Sequence, residues 1–277
     1  MNPKTSLLVA FMVIPSISHS AIILNDTFAD GDFTTGVEWF KNTSGSALSV
    51  VNDGAMGGNA LQFDTNPAFR ATTAAIPTSS LINDGDFIKL SFSFRYTLTP
   101  TDSAGGLRFG IYSNPIALAN TADDVSTGSG NTATGYYMNL VSGPNQQSAA
   151  GDFAGTQLIR EFGTTSGILG GTDRASLGPG AASGLGVTNT SLHTASLLIT
   201  KTGATYSLVG QFDGNTVTSG TATTLYNGFN TIAISTANND INLLIDNVTV
   251  EFVPEPSTVG LCAMAGLALV ARRRRGA

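Results

Sequence analysis

From Phe87 to Tyr96 the chain alternates with a two-residue period. Ile88, Leu90, Phe92, Phe94 and Tyr96 fall on one face, and Lys89, Ser91, Ser93 and Arg95 on the other. That pattern predicts a half-buried β-strand. Shorter runs of the same character occupy residues 47–52, 60–65, 69–76, 107–113, 136–142, 156–162, 194–201, 205–212, 230–237 and 241–252. Thr202-Gly203-Ala204 and Asp213-Gly214-Asn215 read as hairpin turns. No stretch between residues 21 and 253 carries a helical period. Many short strands joined by Gly, Asn and Asp turns predict an all-β fold, a two-sheet antiparallel sandwich of the jelly-roll type. The alternative, a solenoid, needs a fixed repeat that the sequence does not show.

Two segments interrupt the pattern. Residues 120–134 are polar and rich in Gly and Ser, and residues 166–191 hold seven glycines. Their composition predicts long mobile loops.

The two ends follow different rules from the middle. Lys4 precedes an apolar run over residues 6–17, and Ser18-His19-Ser20 places small residues at the positions before a cut ahead of Ala21. This order predicts a signal peptide over residues 1–20 and export through the Sec machinery. The run is too short for an ordinary membrane span. At the other end, Pro254-Glu255-Pro256 is followed by an uncharged apolar segment over residues 258–271 and then by Arg272, Arg273, Arg274 and Arg275. The prolines end the sheet. The apolar segment becomes a single transmembrane helix when Ser257 and snorkelling arginines lengthen it, and the arginines hold its end on the cytoplasmic side. The chain therefore divides into residues 1–20, a β-sandwich domain over 21–253, and a tail over 254–277.

Removing the ends changes the electrostatic picture. The whole chain has a formal charge of −6, but the body keeps 8 basic and 18 acidic residues, a charge of −10. Repulsion from phosphate excludes nucleic acid as a partner. The single cysteine, Cys262, lies in the tail, so the body has no disulfide. The single body histidine, His193, reads as a polar surface residue. It has no G-x-S-x-G partner for a hydrolase triad and no companion ligands for a zinc site. No glycine run forms a nucleotide-binding loop.

The tripartite tail resembles the PEP-CTERM sorting signal of Gram-negative bacteria, over about 24 residues and with all three parts in order. The resemblance implies an exosortase as partner, transient insertion in the inner membrane, cleavage near Pro254-Glu255-Pro256, and delivery to the cell surface or extracellular matrix. It also implies an association with exopolysaccharide production.

For the body, residues 24–32 followed by Trp39, together with the closing residues 244–250, resemble the first and last strands of carbohydrate-binding-module and concanavalin-like jelly rolls. That resemblance implies paired termini and a structural calcium held by Asp26, Asp30, Asp32 and Asp246, with Asp26, Asp30 and Asp246 as the core of the set. Ala29 stands where such modules often carry an acidic residue. Turn capping is the other use for these aspartates. Exposed aromatic platforms for sugar would come from Trp39 or from one of Tyr136 and Tyr137, which face opposite sides of a strand. No catalytic residues are assigned. The expected function is a non-enzymatic exported surface or matrix protein in contact with polysaccharide. The alternatives are a glycan-acting hydrolase using Glu161, since that chemistry needs only two carboxyls, and a purely structural or adhesive matrix component.

Overall fold

A computed structural model describes residues 20–41, 47–64, 70–100, 106–113, 133–141, 155–163, 168–169, 173–178, 187–226, 228–236 and 242–254. Residues 1–19 of the expected signal peptide, the segment 120–132 and the residues beyond Pro254 lie outside these. Among the described residues there is no helix, and none is long and apolar enough to cross a membrane.

Fifteen strands run in order: β1 (Ala21–Asp26), β2 (Trp39–Lys41), β3 (Ala47–Asp53), β4 (Gly58–Asp64), β5 (Arg70–Ser79), β6 (Phe87–Tyr96), β7 (Leu107–Ser113), β8 (Thr134–Leu140), β9 (Gln157–Glu161), β10 (Arg174–Ser176), β11 (His193–Thr202), β12 (Thr205–Phe212), β13 (Asn215–Ala222), β14 (Phe229–Thr236) and β15 (Leu243–Val253). They form two antiparallel sheets. An eight-stranded sheet has the order β13-β12-β11-β6-β15-β4-β3, with β1 also paired to β15; a seven-stranded sheet has the order β10-β9-β8-β7-β14-β5-β2. The two-sheet sandwich is thus as the alternation predicts.

One apolar core joins the inner faces. Ile88, Leu90, Phe92 and Phe94 of β6 meet Phe109 and Ile111 of β7, with Phe92 and Phe109 edge-to-face at 5.0 Å. Burial along β6 alternates without a break, so each outward Lys, Ser or Arg sits on the solvent face.

The last strand fixes both ends of the chain. The first part of β15, Leu243 to Ile245, pairs with β4, and Val248 to Phe252 pair with β1, so β1 and β4 share one edge. The hand-over falls at Asp246 and Asn247. Asn247 takes a left-handed φ of 53°, and β15 carries one extra residue against β6 between Asp246 and Thr249. Asparagine tolerates that conformation, and the bulge turns the strand locally. The expected pairing of the termini is present, with Ala21 opposite Phe252.

Two expectations change. Residues 166–191 are not all loop: β10 adds an edge strand at Arg174–Ser176, and Ile168 and Leu169 are buried. His193 is not a surface residue. It is 8% exposed and packs against Phe94 and Phe212.

Candidate functional site

The outer face of the eight-stranded sheet carries an open polar trough of about 300 Å³. It arises from strand register. Thr216 of β13 stands opposite Gln211 of β12, Gln211 opposite Ser196 of β11, Ser196 opposite Ser91 of β6, Ser91 opposite Thr249 of β15, and Thr249 opposite Asn25 of β1. Six polar residues from six strands therefore form one line, and Ser91, Ser196 and Gln211 at its middle line the trough. At strand spacings of about 4.8 Å the line runs about 24 Å. Small hydroxyl side chains keep the floor low, and the Asp246–Thr249 bulge sets Asn247 at the side. Ser196 Oγ donates to Gln211 Oε1 at 3.0 Å. Lys89 and Glu251 are paired across β6 and β15 beside the line, so the flanking charges balance. Among the described residues no acidic side chain lines the trough. Hydroxyl and amide groups both donate and accept, which matches a neutral polyhydroxylated ligand.

A second polar cluster lies on the outer face of the seven-stranded sheet, but it is closed. Glu161 is 0% exposed; its Oε2 accepts from the Tyr112 hydroxyl at 2.9 Å and from the Leu169 amide at 3.0 Å. Burial, opposed by these two hydrogen bonds and reinforced by Asp173, pushes its carboxyl up to about 8. Burial also raises Tyr112 well above the ordinary phenol range, with Glu161 adding to the effect. Arg108 donates to the Leu169 carbonyl at 2.9 Å and to Asn139 at 3.3 Å. Tyr112, Tyr137, Ile159, Ile168 and Leu169 form an apolar layer of their own, separate from the main core. Ile168 and Leu169 thus cover Tyr112 and Tyr137 on this face.

Trp39, Tyr136 and Tyr137 do not form exposed sugar platforms. Tyr136 faces the core and Tyr137 the outside, as alternation requires, but both are 0% exposed. Trp39 is 2% exposed, packs on Phe28, and donates its Nε1 hydrogen to Asp26 Oδ2 at 2.8 Å.

The aspartates proposed for calcium are engaged otherwise. Asp26 Oδ1 accepts from the Phe28 amide at 2.8 Å, completing the use of both its oxygens. Asp246 accepts from the Asn247 amide at 2.6 Å and from Asn247 Nδ2 at 2.9 Å. Burial raises the Asp246 carboxyl, with Asp26 as a nearby like charge. Asp30 is exposed and accepts from the Asp32 amide at 3.1 Å, while Asp32 binds Thr34 and Thr35. Asp26 and Asp246 are neighbours, but among the described residues no group of three or more His, Cys, Asp or Glu side chains is placed to hold a metal ion. Of the four aspartates, the structure thus brings Asp26 and Asp246 together and leaves Asp30 and Asp32 in turn-capping bonds of their own.

His193 has both ring nitrogens occupied, Nδ1 by Asp213 Oδ2 at 2.8 Å and Nε2 by Asn189 Oδ1 at 2.9 Å. It orders the β11–β12 end of the sheet. Sequence reasoning missed the trough because its residues are far apart in the chain and individually ordinary; only pairing register aligns them.

Residues 252–275 match the PEP-CTERM protein-sorting motif. No curated protein matches the chain. Among solved structures, the metal-free carbohydrate recognition domain of Emp46p is similar at a TM-score of 0.51, with 14% identity over 79% of this chain and 90% of that one. Its potassium-bound form gives a TM-score of 0.49 and 14% identity, over 76% and 87% of the two chains. A carbohydrate esterase, vb_24B_21 from Shiga toxin-encoding bacteriophage phi24B, gives 0.48 and 15%, over 84% and 99%. At these identities the likeness is one of fold. The body therefore shares the two-sheet β-sandwich fold of the Emp46p domain. The chain as a whole carries a PEP-CTERM tail, the mark of an exported protein held transiently at the membrane before processing.

Proposed function

We propose that the protein is processed by an exosortase, released to the cell surface or extracellular matrix, and associates there with exopolysaccharide through the trough, without catalysis. The observation that carries this reading is the direct joining, at Val253 and Pro254, of a lectin-like sandwich to a sorting motif that begins at Phe252. The trough supports it: it is open and lined mainly by hydroxyl and amide groups, with Lys89 the charged side chain among them. It offers no carboxyl pair, and glycoside hydrolysis needs two.

A glycan hydrolase using Glu161 is the second reading. The raised Glu161 carboxyl favours it, because a general acid must hold its proton near neutral pH. Its complete burial favours the first reading. A structural matrix component is the third, and it predicts self-association without glycan preference.

A structural cation forms no part of the proposal: Asp26 and Asp246 are used here to hold Trp39, Phe28 and Asn247. The sorting half is tested by replacing Pro254-Glu255-Pro256 with Ala-Ala-Ala and following the protein by cell fractionation. Retention in the membrane supports exosortase processing. Release at the original rate contradicts it.

A further inference from the structure

The tail leaves the sandwich without a linker. β15 ends at Val253, which is opposite Phe87 of β6, and Pro254 follows outside the sheet. The sorting motif starts at Phe252, so its first two residues are strand residues. Only residues 254–257 separate the strand from the apolar segment that begins at Thr258. Four extended residues span at most about 14 Å. While the apolar segment is in the membrane, this end of the sandwich is held within that distance of it. Ala21, the first residue after the expected signal-peptide cut, is the pairing partner of Phe252, so both ends of the body leave from one point.

The side chains at this end fit the position. The β5–β6 loop is tied there by Gly85 to the Lys201 carbonyl at 2.9 Å, and by the Gly203 amide to Asp84 at 2.7 Å. The β13–β14 loop is tied there by Tyr206 to the Tyr226 carbonyl at 3.1 Å. Three large apolar side chains stand exposed on these segments: Ile22 on β1 (64%), Ile82 in the β5–β6 loop (74%) and Leu225 in the β13–β14 loop (37%). Leu98 and Leu192, also exposed, lie at the opposite end, beyond Tyr96 and before His193.

We infer that the end of the sandwich bearing Ile22, Ile82 and Leu225 rests on the lipid surface during sorting, with these three side chains in the interfacial layer. The inference rests on the reading that the tail inserts transiently. The short tether sets the orientation, and the apolar side chains lower the cost of contact with the bilayer. Once the tail is cut, three separate side chains give only weak membrane affinity, so release follows cleavage.

The test uses the tailed protein in phosphatidylcholine–phosphatidylglycerol vesicles. Cys262→Ser removes the only native thiol, and single cysteines are placed by Ile82→Cys, Leu225→Cys and Leu98→Cys. Each is labelled with a fluorophore and exposed to a shallow lipid-borne spin-label quencher. Quenching at positions 82 and 225 several-fold above that at position 98 supports the inference. Equal quenching at both ends, in protein that sediments with the vesicles, overturns it while leaving tail insertion intact. Protein that stays in the supernatant overturns the insertion reading and this inference with it.

Discussion

Tyr112 reaches from β7 across Gly135 of β8 to donate its hydroxyl hydrogen to Glu161 on β9, at 2.9 Å. The contact spans three strands because the middle position has no side chain. Tyr112 is paired with Gly135, and Tyr137 with Gly110, so each ring lies over a glycine of the neighbouring strand. A Cβ on Gly135 would stand 2.5 Å from the Ile111 carbonyl and 2.6 Å from Tyr112 Cδ1; one on Gly110 would stand 2.6 Å from Tyr136 O and Tyr137 Cβ.

Glu161 makes stability depend on pH. Its folded-state value of about 8 lies above its ordinary value of 4.5, so the folded protein keeps a proton that the unfolded chain gives up. The stabilisation is complete below about pH 4.5 and is lost as pH rises toward 8, at about 1.4 kcal/mol per unit. Glu161→Gln mimics the neutral acid and flattens this profile. Urea midpoints at pH 5, 6.5 and 8 measure it. Parallel profiles for the two proteins contradict the assignment.

Gly135→Ala and Gly110→Ala each destabilise by about 1–3 kcal/mol through overpacking. Gly54→Ala, where a Cβ meets nothing within 4 Å, is the control and costs far less. Denaturant unfolding distinguishes them.

Arg95 holds Asp53 through two bonds, Nε to Oδ1 at 3.1 Å and Nη2 to Oδ2 at 2.7 Å, with both side chains mostly buried. The Arg95 hydrogen bonds lower the Asp53 carboxyl below its ordinary 3.8. The stability it contributes is present above about pH 3.8 and falls away as pH drops through the lower folded value. Asp53→Asn costs about 1–3 kcal/mol at pH 7. The cost of the same substitution shrinks as pH falls below 3.8, a contrast read from thermal melts.

Chelation provides a fourth check. Asp26 and Asp246 use their oxygens within the protein, so EDTA leaves the melting temperature and the emission of the single tryptophan, Trp39, unchanged. Asp26→Ala shifts that emission, because it removes the indole's hydrogen-bond acceptor. A melting temperature lowered by EDTA and restored by calcium contradicts this account.

Much of the sandwich is legible in local pattern. β6, β7 and β12 fall on the predicted residues; β6 and β12 bury one face at a two-residue period, while β7 is buried on both faces where Tyr112 enters the second apolar layer. Asp213 and Gly214 both take left-handed φ values, as the predicted hairpin requires. β13 is not legible in that way: Asn-Thr-Val-Thr-Ser-Gly-Thr-Ala is polar along an edge strand, where little burial is demanded. The burial of Tyr137 depends on Ile168 and Leu169, about thirty residues away, and alternation reports only which side a residue faces. The spaced pairs Gly110-x-Tyr112 and Gly135-x-Tyr137 are the one local sign of that covered face. The trough leaves no local sign.

The central claim is that the exported body holds polysaccharide in the trough. It is tested most directly by retention of the released protein on immobilised exopolysaccharide, comparing wild type with Thr194→Trp and Ser91→Trp, which fill the trough from its exposed side. The account predicts that wild type is retained and that each variant binds at least about tenfold more weakly, with unchanged melting temperature. No retention of wild type on any polysaccharide, or equal retention of all three proteins, contradicts it.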